Sequence, residues 1–151
     1  MTTVSDIHDS IIAVISTELP TYARLPNPYA IDENTALILK KCYGLAIGAG
    51  VNTQRYVGCI ATWERSFTIN LITQVVNTEN DAAGRASVEL TIDDARQTLF
   101  KAFESKDTTL SATVVRATVT DDSGIQYIDG QNAKFLAIEV TLVVEYHEST
   151  T

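Results

Sequence analysis

Apolar positions along the chain change their spacing from segment to segment, which separates predicted helices from predicted strands. Near the amino terminus they recur every three or four residues, which predicts an amphipathic helix with Ser5 or Asp6 as its N-cap. The apolar residues of this helix are Ile7, Ile11, Val14 and Ile15. Pro20 cannot continue the helix, so we expect it to end by Leu19. All three prolines fall in residues 20–30, which predicts an extended proline-rich loop.

The next segments have the composition of strands. Thr35–Ile47 is a short apolar run that predicts a strand, and the glycines in and after its last residues indicate a flexible hairpin tip or a bulge projecting from the sheet. These glycines are Gly44, Gly48 and Gly50. Tyr56–Val76 alternates between apolar and polar residues but is too long for one flat strand, so we expect a bend or bulge near Glu64–Ser66.

A second helix is predicted over Ala86–Phe103, because its apolar residues can form one buried stripe. The stripe consists of Leu90, Ala95, Leu99, Ala102 and Phe103. Thr91 is a candidate cap for the Asp94 amide, which gives Asp93 and Asp94 a structural role near a helix start.

The last third of the chain predicts β structure. Leu110–Val119 alternates, Asp121–Gly124 and Asp129–Gly130 are turn signals, and Ala133–Tyr146 is a long alternating strand. One of its two faces is wholly apolar and should face the core, whereas the other should be partly exposed. The apolar face comprises Leu136, Ile138, Val140, Leu142, Val144 and Tyr146.

This order of elements predicts an α+β fold in which two main helices pack on a largely antiparallel, hairpin-connected β-sheet. With 151 residues the chain has the length of a single domain, residues 1–151. Within it we expect an N-terminal helix over residues 1–19, the proline-rich loop over 20–30 and an α+β core over 31–151.

Composition excludes several classes of function. The formal net charge of −8 argues against affinity for nucleic acid, which needs clustered basic residues. No apolar stretch has the length of a transmembrane helix, and Ser10–Ser16 lacks a preceding basic segment, so we expect neither membrane insertion nor export. The two cysteines, Cys42 and Cys59, cannot form a disulfide framework and fit buried positions in a reducing compartment.

The sequence offers no recognisable catalytic constellation. His8 and His147 do not lie at metal-ligand spacing from cysteines or carboxylates, and a nucleophile pair such as Cys42 with His147 has no local support. The Gly44–Gly50 stretch lacks the layout of a phosphate-binding loop. We therefore expect no enzymatic activity, no cofactor and no metal.

Three features together resemble one protein family. They are the N-terminal isoleucine-rich helix, the segment Asp93–Phe103 and the closing segment Gly130–Tyr146, which ends in an apolar run and a tyrosine. Their layout is similar to that of tail terminator, or tail-completion, proteins of long-tailed bacteriophages.

The resemblance implies a virion protein of the tail or neck that is assembled in the host cytoplasm. Its partners would be other copies of itself in a homo-hexameric ring, the tail tube protein and a head–tail connector or adaptor protein. DNA would pass through the ring without specific binding, and an acidic lumen would repel its phosphates.

Local pattern supplies candidate interface residues for such a ring. These are Asn52, Gln54, Arg55, Tyr56 and Arg96, which offer hydrogen bonds, charge and an aromatic anchor. Two alternatives remain open at this point: a head-completion or neck adaptor protein, and a small-ligand-binding α+β domain with a pocket around Trp63 and Tyr43.

Overall fold

A computed structural model describes residues 4–25, 41–55, 60–75, 82–104, 110, 114–129 and 134–149. Helix α1 spans Val4–Glu18, and helix α2 spans Ala82–Glu104. The strands are β1 Ala23–Arg24, β2 Lys41–Arg55, β3 Ile60–Val75, β4 Val114–Asp122, β5 Gln126–Asp129 and β6 Lys134–Ser149. None of the described helices is long and apolar enough to cross a membrane.

The six strands form one mixed sheet in the order β1-β2-β3-β6-β4, and β5 pairs with β6 beyond the end of β4. The prediction of a largely antiparallel, hairpin-connected sheet is therefore wrong. β1 runs parallel to β2, and the long central pair β3–β6 joins strands separated in sequence by α2, β4 and β5. Alternation within single segments carried no information about this non-local pairing, which is the physical reason for the error.

Helix α1 confirms the prediction from the apolar spacing. Ile7, Ile11 and Ile15 are fully buried, and the Leu19 amide donates to the Ile15 carbonyl oxygen at 2.8 Å, closing the last turn before Pro20. Of the proline-rich loop, residues 26–30 lie outside the described residues, and residues 23–24 form β1.

Helix α2 begins earlier than predicted, and its buried stripe differs from the prediction only in the first half. Val88 and Ile92 face the core together with Ala95, whereas Leu90, predicted to be buried, is 67% exposed. Because α2 already includes Ala82, Thr91 is not a cap: its hydroxyl donates to the Ser87 carbonyl oxygen within the helix. Ala95, Leu99 and Phe103 are buried as predicted, and Ala102 is half-buried. Leu90 was wrong because Val88 and Ile92, at helical spacing from Ala95, occupy the buried side before it.

The glycine stretch lies inside β2, so the predicted flexible tip is wrong and the alternative prediction of a bulge is confirmed. Gly44, Gly48 and Gly50 all belong to this strand, which pairs with β3. Two residues of β2, Gly48 and Ala49, stand opposite the single residue Ser66. The irregularity predicted near Glu64–Ser66 is therefore present as a bulge, but the extra residue is on β2.

The core lies between the helices and one face of the sheet. All six residues predicted on the apolar side of β6 are buried there with Ile92, Leu99 and the α1 isoleucines. Phe135 and Ala137, predicted on the partly exposed side, are also buried. They join Leu25, Cys42 and Ile72 in a second, smaller cluster on the opposite face of the sheet.

Candidate assembly surface

The five predicted interface residues fall on two different elements. Asn52, Gln54 and Arg55 belong to the final part of β2, and Asn52 is half-buried there. Arg96 lies in the middle of α2. Tyr56 lies outside the described residues, as do the side chains of Gln54 and Arg55. The structure therefore brings three of these residues onto one strand and places Arg96 on another element.

Arg96 is engaged within its own chain. Its Nε donates to Asp93 Oδ1 at 2.8 Å and lies 3.8 Å from Asp122 Oδ2 at the end of β4. Gln97 donates to the other oxygen of Asp93 at 3.0 Å. The hydrogen bond from Arg96 holds the pKa of Asp93 below its usual value. These contacts tie α2 to the end of β4 and account for Arg96 without an intermolecular partner.

Arg65 of β3 is a polar residue that the sequence pattern did not single out. Its Nε donates to Tyr146 Oη at 3.3 Å, and its Nη1 donates to the Gly48 carbonyl oxygen at 3.1 Å. A Cβ at Gly50 would lie 2.6 Å from Nη2, so the absence of a side chain at Gly50 lets the guanidinium lie against the β2 backbone. The sequence could have identified Arg65 because it falls on the side of the β3 alternation that carries the buried residues.

The face of the sheet opposite the helices is largely polar beyond the second cluster. It carries a shallow groove of about 310 Å³, lined by Glu64, Arg116, Thr118, Thr120, Val143 and Glu145. Glu64 and Glu145 stand directly opposite each other on β3 and β6, and Arg116 Nη2 lies 3.3 Å from Glu145 Oε2. Because Arg116 is mostly exposed, this ion pair contributes at most about 1 kcal/mol.

Large apolar side chains are exposed at both margins of the sheet. Ile47 is 48% and Val51 is 61% exposed on β2, and Val115 is 53% exposed on β4. Sequence reasoning passed over the first two because they sit among the glycines. Long apolar edge strands are templates for pairing with another chain, so these margins are the candidate assembly surface.

The residues considered for chemistry lie far apart or are inert. Cys42 is buried, and burial raises its pKa to about 11, which keeps it a thiol at neutral pH. His147 Nδ1 lies 3.2 Å from Thr62 Oγ1. Across the sheet, Cys42 pairs with Ile72, and Ile72 pairs with Ala137 of β6, which lies ten residues before His147. Strand rise places this cysteine and histidine roughly 33 Å apart. A Cys42–His147 pair is therefore excluded.

His8, Cys59 and the search for a metal-binding group provide no further candidate site among the described residues. His8 Nδ1 pairs with Asp9 Oδ1 at 3.2 Å at the start of α1. Cys59 lies outside the described residues. Within the described ranges, no group of three or more histidine, cysteine or carboxylate side chains is placed to hold a metal ion.

Within the part of the chain that the structure describes, the surroundings of Tyr43 and Trp63 give no support to the suggested ligand pocket. Tyr43 is 1% exposed, and its hydroxyl lies 3.2 Å from Ser16 Oγ, so the ring is sealed between α1 and β2. Trp63 is half-buried and packs against the main core. Both aromatic side chains therefore serve packing.

Comparison with known proteins finds solved structures of similar fold. The fold is similar to that of a chain in the solved structure of the virion of a native gene transfer agent particle, with a TM-score of 0.52. The two chains are 16% identical, and the similarity covers 94% of this chain and 92% of the other. No protein-family model matches the sequence. No curated protein matches it either.

Proposed function

We propose that the chain is a structural protein of a phage-like virion, and more specifically a tail terminator that forms a ring. The observation that carries the proposal is the fold likeness to a chain of a gene transfer agent virion over nearly the full length of both chains. In this proposal the ring caps the tail tube and joins it to the head connector.

The sheet supports a repeating assembly. Its two outermost long strands, β2 and β4, lie at opposite margins, and both expose large apolar side chains. Two different surfaces on opposite sides of one subunit permit head-to-tail contacts, which close into a ring when the rotation is right. We propose a homo-hexamer with DNA passing through its centre.

A role without catalysis is part of the same proposal. The buried Cys42 thiol and its separation from His147 argue against a nucleophilic mechanism. The acidic balance of the chain, −8, is compatible with a lumen that does not retain DNA by its phosphates.

Deletion of the gene in the parent phage or particle tests the role at the level of tail structure. Loss of a tail terminator should give overlong tail tubes, because tube polymerisation is no longer stopped. Complementation with the wild-type gene should restore uniform length. Tails of normal length that lack heads would assign the protein to the adaptor layer instead, and normal particles would refute a role in the virion.

A further inference from the structure

One margin of the sheet has backbone groups that point away from all described strands. The Leu25 amide donates to the Tyr43 carbonyl oxygen at 2.7 Å, so Tyr43 turns its backbone groups towards β1 and away from β3. β1 ends at Arg24. From Gly44 to Arg55, the outer side of β2 pairs with no strand in the part of the chain that the structure describes.

The register identifies which amides of β2 point outwards. In an antiparallel pair, backbone orientation alternates from residue to residue. Ile47 pairs with Phe67, which lies four residues along β3 from Leu71, the partner of Tyr43. An even step preserves the orientation, so the N–H and C=O groups of Ile47 also point outwards.

The same reasoning gives the orientation of the backbone groups of β4, at the opposite margin. Phe67 turns its backbone groups away from Ile47 and towards Leu142 of β6, with which it pairs. Leu142 therefore turns its groups away from β4, and Val119, its partner there, points its own groups outwards. Both margins thus present hydrogen-bonding groups at comparable positions along the sheet.

The two margins are complementary in charge. The sequence of β2 contains the two basic residues Lys41 and Arg55 and no acidic residue. The sequence of β4 contains Asp121 and Asp122 against one basic residue, Arg116. Antiparallel pairing between copies places Lys41, at the start of β2, beside Asp121 and Asp122 at the end of β4, so the charges are complementary at that end of the edge.

Strand direction also agrees with pairing between copies. β2, β3, β6 and β4 are successive antiparallel neighbours, so β2 and β4 run in opposite directions. A second copy rotated about an axis along the strands would bring its β2 beside β4 of the first copy in antiparallel orientation. No inversion of the subunit is needed.

We propose that β2 of one copy pairs antiparallel with β4 of the next, so that the sheets join edge to edge around the ring. This inference rests on the proposed ring. Bulges interrupt both edges, which confines regular pairing to the stretches Gly44–Ile47 and Arg116–Val119. The exposed side chain of Ile47 lies within the paired stretch and becomes partly buried on pairing, and those of Val51 and Val115 lie just beyond the bulges.

A matched pair of substitutions at Ile47 tests this contact. Ile47→Pro removes an outward N–H that the β2–β3 pair does not use, and edge strands tolerate proline at such positions. Ile47→Thr keeps both the N–H and a β-branched side chain. By light scattering, Ile47→Thr should retain a ring of about 99 kDa, six times the subunit mass of 16.5 kDa. The measured mass of the Ile47→Pro variant should be about sixfold lower, the 16.5 kDa of a single subunit, and its far-UV circular dichroism spectrum should be unchanged.

Hydrogen exchange on the wild-type ring provides an independent measurement if the proline variant does not fold. The outward amides of Ile47 and Val119 should be protected by about a hundredfold or more, as expected for hydrogen-bonded strand amides. Unprotected amides in an intact ring, or a folded Ile47→Pro variant that still forms the ring, would overturn edge pairing but not the proposed ring. A wild-type protein that never assembles would overturn both.

Discussion

Two aliphatic residues of α2, only two positions apart, should differ widely in their contribution to stability. The side chain of Ile92 is fully buried in the main core, whereas that of Leu90 is 67% exposed. Both lie inside the same helix, so replacement by alanine changes helix propensity little at either position. The difference in free energy of unfolding between the two variants therefore measures the contribution of side-chain burial.

The magnitudes follow from that burial. Truncation of a buried isoleucine to alanine removes apolar contacts and leaves a cavity, which costs about 2–5 kcal/mol. Truncation of an exposed leucine should change the free energy of unfolding by no more than about 0.5 kcal/mol. At roughly 2–4 °C per kcal/mol for a chain of this size, Ile92→Ala should lower Tm by roughly 3 °C or more relative to Leu90→Ala.

Guanidinium unfolding followed by far-UV circular dichroism gives both free energies. Assembly stabilises the native state by mass action, so wild type and both variants are compared at one protein concentration, and the comparison is repeated at a second. Equal destabilisation by Ile92→Ala and Leu90→Ala would refute the placement of the buried stripe of α2.

Three further outcomes are expected. Gly48→Ala should lower the free energy of unfolding by about 1–3 kcal/mol, because a Cβ would lie 2.9 Å from the Ser66 carbonyl oxygen; wild-type stability in a denaturant titration would contradict this. The pKa of Asp93 is lowered by Arg96, so its stabilising contribution is present above the ordinary pKa of 3.8 and is lost as pH falls through the lower folded-state value. The difference in Tm between wild type and Asp93→Asn should therefore shrink from pH 7 to pH 3, and a constant difference would count against the contact. In a variant whose other cysteine is serine, the buried Cys42 should resist a thiol reagent at pH 8 until denaturant is added; rapid labelling of the native protein would show that the thiol is accessible.

The long strand β6 shows what the sequence could predict and where it stopped. Strict alternation identified the side that faces the helices, because one continuous core covers that side. Phe135 and Ala137 belong to the other side, which the alternation predicts to be partly exposed because the first side is wholly apolar. Their burial depends on Leu25 and Ile72, which come from other parts of the chain, and single-strand periodicity holds no information about such a cluster.

The glycine stretch shows a similar limit. Three glycines within seven residues favour a turn when local conformational freedom alone is considered. In the structure they lie in a paired strand, since β3 supplies hydrogen-bonding partners and the side chains of Arg65 and Ser66 occupy the space beside Gly50 and Gly48. The tertiary neighbours therefore override the local preference.

The candidate surface was predicted in part. The end of β2 was chosen for the side chains that it offers, and the structure adds a different property of the same strand, an outer edge of unpaired backbone with exposed Ile47 and Val51. Arg96 was chosen as a polar residue on a helix surface. Its contacts with Asp93 and Asp122 depend on the packing of α2 against β4, which sequence spacing does not reveal.

The most direct test of the proposed ring is the native mass of the wild-type protein in solution. Light scattering over a wide concentration range should reveal a species of about 99 kDa, six times 16.5 kDa, and electron microscopy of that species should show a central hole. A mass of 16.5 kDa at every concentration, retained when tail tube protein is added, would contradict the ring.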